Sequence, residues 1–279
     1  MDAVLVLLGF VMGGALGALG GGGSILAVPM LVYIAGESIK VGTTASLVAV
    51  GAAALAGAVG HFFSGRVKVG KGLIFGVVGV GGSLIGSALN KTANPNLLLL
   101  LFSLFMVFVA TRMLRSTAGG RGARQALALT DLPELSETPM APSAQAAVVE
   151  SRFALKKVVR VVIAGTVVGF LTGFFGVGGG FVIVPALVLA LDFSMADAIG
   201  TSLLVIAVNS VVALSVRVGQ INIDWLVVGL FSAGALVGSV LGSRAASKFQ
   251  GAALKRAFVA LLFVLATYMG ADSIIKLLH

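Results

Sequence analysis

Two short clusters carry the chemistry open to this chain: Gly20-Gly21-Gly22-Gly23-Ser24 and Gly176-Val177-Gly178-Gly179-Gly180. Both stand inside charge-free apolar runs. Each Gly costs a helix up to ~1 kcal/mol relative to Ala, so the spacing predicts a tight turn at each cluster. A new helix is expected after each turn, near Ile25 and Phe181. Its first N–H groups have no intrahelical partner, and with the local dipole they can hold a small anion without any charged side chain. The missing Cβ atoms would let a ligand reach the backbone. Gly22, Gly23, Ser24, Gly178, Gly179 and Gly180 are therefore candidate substrate-binding residues. The plainer alternative is that the two turns only pack on one another.

Hydroxyls form the second candidate set. Gly42-Thr43-Thr44-Ala45-Ser46 and Gly200-Thr201-Ser202 each open an apolar span, and Asn209 follows two turns later. Thr43, Thr44, Ser46, Thr201 and Ser202 could hydrogen-bond an anion or cap their helices. Asn209 has no nearby helix end to cap and is expected to face protein or a cavity.

Other chemistry is scarce. The chain has no cysteine, which excludes disulfides and thiolate ligands. His61 ends one span and Arg217 its counterpart; such a histidine is read as interfacial or as titrating near neutral pH. Glu37, Asp192, Asp197, Asp224 and Asp272 flank spans and are read as solvated. No Ser/His/Asp, metal-ligand or paired-carboxylate grouping is expected, so no catalytic residue, metal or cofactor is assigned and an enzyme is not expected.

The elements that must position these groups occur twice. Gly9, Gly13, Gly17, Gly20, Gly22, Gly23 and Pro29 recur 156 positions later as Gly165, Gly169, Gly173, Gly176, Gly178, Gly179 and Pro185. Such self-similarity marks an internal duplication. Aligned further along, Gly42-Thr43-Thr44 meets Gly200-Thr201-Ser202, an offset of 158, and Gly82, Gly86 and Ser87 meet Gly234, Gly238 and Ser239, an offset of 152. The GxxxGxxxG faces are read as close helix packing in lipid.

Composition sets the class. The chain is 58% apolar and 10% charged, with runs such as Ala3–Gly36 and Val161–Leu191 free of charge. That is a polytopic helical membrane protein. The net charge of +9 sits between spans, where the positive-inside rule accounts for it without a nucleic-acid partner. The start, Met1-Asp2-Ala3, lacks a basic n-region and is read as opening an uncleaved first segment.

Backbone broken inside a bilayer is tolerated only where protein or a polar cavity satisfies it, and matched breaks in two halves point to a transport site. If each broken segment is a re-entrant hairpin followed by three spans, the repeats are inverted. Fifteen of the nineteen Lys/Arg then share the linker side. If each crosses once, the repeats are parallel and only thirteen do. The expected fold is thus all-α: two inverted repeats, residues 1–115 and 152–279, around a cytoplasmic linker at 116–151.

The doubled pattern G-x-G-G-G-x4-P followed by G-T-S, best kept at Gly176–Pro185 and Gly200-Thr201-Ser202, resembles the TauE/SafE family of sulfite and organosulfonate exporters. In the first copy Ser24 replaces the last glycine and Gly21 fills the variable place. The resemblance implies a multi-pass inner-membrane protein that exports small sulfur oxyanions. Its expected partners are a small anionic substrate and the lipid bilayer, with oligomeric state unassigned. An anion channel, an uptake permease and a non-transporting scaffold stand as rivals.

Overall fold

A computed structural model describes residues 2–37, 39–90, 95–115, 144–175, 180–217 and 224–278. Among these residues the chain is helical throughout. The helices are α1 (Asp2–Leu19), α2 (Ser24–Pro29), α3 (Ile39–Phe63), α4 (Val69–Asn90), α5 (Pro95–Arg115), α6 (Ala144–Phe175), α7 (Gly180–Ala190), α8 (Met195–Arg217), α9 (Trp225–Lys248) and α10 (Gly251–Leu278). Seven helical stretches among the described residues are long and apolar enough to cross a membrane. Large apolar side chains such as Leu84, Leu104 and Val77 point outward, while Ala and small hydroxyls share the interior with buried Phe, Leu, Ile, Val and Met. Lipid makes outward apolar residues cheap, and close helix approach makes small interior ones necessary.

The first glycine cluster is a 3-10 turn, Gly20–Gly23, between α1 and α2. Gly20 has φ +71°, a backbone that L side chains avoid, and this redirects the chain. Gly23 then lies against Met12 and Leu16, so α2 doubles back along α1. Pro29 lacks an N–H, and the turn after it opens into a π-helix, Met30–Ile34, with Ala35 N–H donating to Met30 O at 3.1 Å. Gly36 ends this segment at φ +73°. Asp192, 156 residues later, ends α7 at φ 55°. The same left-handed exit closes both copies.

Glycine seams join the two halves crosswise. Gly9, Gly13 and Gly17 of α1 lie on the backbones of Phe231, Ala235 and Ser239 of α9. Gly165, Gly169 and Gly173 of α6 lie on Phe75, Gly79 and Ser83 of α4. Every one of these matched contacts keeps an offset of 156. The offset of 152 expected for α4 and α9 is therefore a register error of one helical turn. Gly82 is the counterpart of Gly238, and Gly86 of Gly242. A glycine every four residues makes the sequence match itself after a shift of four, and only the cross-chain contacts break the tie.

The contacts also fix directions. Gly51 meets Ser210, Gly57 meets Leu203, and Gly200 meets His61, so α3 and α8 run antiparallel. Gly57 and Gly60 meet Ser239 and Ser243, and Gly72 and Gly76 meet Thr201 and Val205. Hence α1, α3 and α9 run one way, and α4, α6 and α8 the other.

Candidate functional site

The two glycine breaks touch. A Cβ on Gly21 would fall on the carbonyl of Gly180. A Cβ on Gly180 would stand 3.1 Å from both Gly21 O and Ile206 Cδ1 and would collide with Ser24 Oγ. Gly20 backs onto α8, where its Cβ position lies 2.6 Å from Ser202 Oγ and 3.3 Å from Ile199 Cα. Gly20 through Gly23 are all buried. Gly22 faces Phe258 and Leu261 of α10. Gly178 and Gly179 lie outside the described residues. The structure thus brings together Gly20, Gly21, Ser24, Gly180 and Ser202, a packed contact of backbone and hydroxyl with no formal charge.

The remaining candidates stand elsewhere. Along antiparallel α3 and α8, Ser202 is level with the turn before His61. Thr44 lies about fourteen residues away on α3, or ~20 Å at 1.5 Å per residue. Thr43, Thr44 and Ser46 are therefore not beside the Gly20–Gly23 turn. In the duplication Thr44 is the counterpart of Ser202. Thr44, Ser46, Thr201 and Ser202 are all buried.

Hydrogen bonding decides what each hydroxyl can do. Ser24 Oγ donates to Gly21 O at 2.7 Å, Ser46 Oγ to Thr43 O at 3.0 Å and Ser202 Oγ to Ile199 O at 2.8 Å. These bonds to the preceding turn are local and can be exchanged for a ligand by rotating one torsion. Thr201 is used differently. Its Oγ1 accepts the backbone N–H of Lys68, 133 positions away, at 3.1 Å. It caps no helix, since α8 begins at Met195. Asn209 faces α4, its Oδ1 3.9 Å from the Cβ position of Gly76.

The segment between α3 and α4 is tied to the start of α8. Lys68 lies 3.9 Å from Asp197, and Lys71 sits over the Phe193 ring at 5.2 Å. His61, in the last turn of α3, is 3% exposed and so is packed against protein. Its Nε2 stands 3.3 Å from Gly17 O. A carbonyl only accepts, so Nε2 carries the proton and ties the end of α3 to the end of α1. Asp224, expected to be merely solvated, caps α9 through bonds to Leu226 N–H at 3.0 Å and Val227 N–H at 3.2 Å.

Sequence reasoning missed two aromatic supports. Phe258 of α10 backs Gly22, and Phe102 of α5 packs on Phe175 and Phe181 at 4.9 and 5.0 Å beside the second break. Both are fully buried. Their separation of 156 residues was the available signal. Among the described residues no group of three or more His, Cys, Asp and Glu could hold a metal ion.

These helices define a multi-pass membrane protein whose buried polar side chains, among the described residues, are hydroxyls and one histidine. The sequence pattern described as "Sulfite exporter TauE/SafE" matches residues 5–269. A Xylella fastidiosa (strain 9a5c) protein named as a probable membrane transporter protein is 34% identical over 266 residues, covering 94% of this chain and 92% of that one. Bacillus subtilis (strain 168) YunE, also named as a probable membrane transporter protein, is 28% identical over 88% of this chain and 89% of its own. No solved structure matches. The chain belongs to the TauE/SafE family of membrane transporters, which in bacteria places it in the inner membrane.

Proposed function

We propose that this protein is a secondary transporter that exports small sulfur-containing anions such as sulfite, sulfoacetate or a related organosulfonate. The observation that carries this reading is the meeting of Gly20–Gly23 with Gly180, edged by Ser24 and Ser202. Backbone N–H groups and hydroxyls there suit a compact oxyanion, which is held by hydrogen bonds that strengthen when the acceptor is charged. Gly178, Gly179, Thr43, Thr44 and Ser46 would serve the symmetry-related half of the same path. Negative-inside voltage favours anion exit by ~2.3 kcal/mol per charge per 100 mV, so export needs no proton relay.

Alternating access would follow from two inverted repeats, residues 1–115 and 152–279, joined by a cytoplasmic segment at 116–151. The opposed directions of α1 and α6, of α3 and α8, and of α4 and α9 support this arrangement. So does the doubling back of α2 on α1, which suits a re-entrant hairpin.

Reconstituted protein should give saturable flux of sulfite or sulfoacetate across liposomes. Ser202→Ala should weaken anion binding by roughly 0.5–1.5 kcal/mol, or up to ~3 kcal/mol if the bond is charge-assisted. Unsaturable currents far above transporter turnover would favour a channel. No flux with any sulfur oxyanion would sink the reading.

A further inference from the structure

Two side-chain oxygens among the described residues are buried without a hydrogen-bond partner, Asn209 Oδ1 on α8 and Ser232 Oγ on α9. Leaving such an atom unpaired is unfavourable, and native proteins do so rarely. Their places are related by the internal duplication. Asn209 Oδ1 faces Gly76 of α4. Position 76 corresponds to Ser232 at an offset of 156, and position 209 to Gly51 at 158. The duplication thus maps the Gly76/Asn209 pair of one half onto Ser232 and Gly51 of the other, with the polar residue exchanged between helices. Ser232 precedes Ser239 by seven residues on one stripe of α9, and Ser239 Oγ donates to Ala53 O of α3 at 2.6 Å. That stripe carries Ser232 along α3 toward Gly51, which itself packs on Ser210 at the crossing of α3 and α8.

Asn209 also continues the face of α8 that meets the glycine breaks. Ser202 lies by Gly20, Ile206 by Gly180, and Asn209 follows at the i+7 position. The acidic side chains with described positions, Asp2, Glu37, Asp192, Asp197 and Asp224, all lie at helix ends or loops, so a cation at Asn209 or Ser232 would lack a counter-charge. An anion needs only donors. The serine has one, and an amide that no partner orients can turn its NH2 toward the ligand.

We propose that Asn209 and Ser232 are paired hydrogen-bond donors for the transported oxyanion, one in the α4/α8 seam and one in the α3/α9 seam, beyond the glycine breaks on either side. This rests on the transport reading above. Gly76, which faces Asn209 Oδ1, leaves the room that a Cβ would fill.

The chain has no cysteine, so single-cysteine variants report without background. Asn209→Cys and Ser232→Cys would be reacted in membranes with an anionic sulfonatoethyl methanethiosulfonate. Val211→Cys and Val237→Cys, outward-facing on the same helices, serve as controls. A thiol in lipid stays protonated and slow, so the seam positions should react about tenfold faster than the controls. Saturating methanesulfonate should slow them several-fold. Rates no higher than the controls, or rates that methanesulfonate leaves unchanged, would overturn the proposal.

Asn209→Ala and Ser232→Ala provide a second measurement if the cysteine variants misfold. Thermal stabilisation by methanesulfonate should then require about fivefold more anion, the scale of one hydrogen bond. Unchanged affinity would again overturn it. If Ser202→Ala weakens binding while these two do not, this inference falls alone. If none of the three responds to any sulfur oxyanion, the transport reading falls with it.

Discussion

Thr201 has a structural partner that no local sequence signal names. Its type and its place after a glycine were plain in the sequence. Its partner, the N–H of Lys68, lies far away in the chain and could not be seen. Thr201→Val keeps the shape and removes the acceptor. It should lower the unfolding free energy by about 1–3 kcal/mol, the cost of stranding a buried donor, while Thr201→Ser should stay near the parent. Thermal unfolding in detergent would separate them; equal melting of all three would mean that the bond contributes nothing. Asn209 was legible for the converse reason. A mid-span amide with no helix end within reach must face protein, and it does.

At the scale of elements, the break at Gly20–Gly23 was legible, because dense glycine and a following proline have few other uses inside an apolar run. The register of α4 against α9 was not. The seams explain why their glycines matter. A Cβ on Gly13 would enter the backbone of Ala235, and backbone cannot rotate away. Gly229, on the same helix as Ala235, has nothing within 4 Å of its Cβ position. Gly13→Ala should therefore destabilise by about 1–3 kcal/mol through overpacking. Gly229→Ala should be neutral or stabilising by up to ~1 kcal/mol, since Ala is the better helix former. Melting temperatures that fall equally would show that the α1/α9 seam yields easily.

For the whole molecule, the charge count alone favoured opposed repeats, and the helix directions support the same arrangement. The sequence could not reveal that each half packs its first helix on the other half, because periodicity marks a packing face without naming its partner. A direct check is available in the cysteine-free chain. Cysteines placed at the N-terminus and at Ser136 should label from opposite sides of the membrane, with Ser136 cytoplasmic. Labelling from one side would return the parallel arrangement.

The crossed seams bear on how the protein is made. Helix α1 leaves the ribosome before α9, yet the groove that receives Gly9, Gly13 and Gly17 belongs to α9. Until α9 arrives, the first-made helices sit in lipid with their glycine faces uncovered, open to strangers and to quality-control proteases. Assembly is therefore a late event that follows insertion. A ribosome that stalls between the halves releases a chain that is threaded through the membrane and still unfolded.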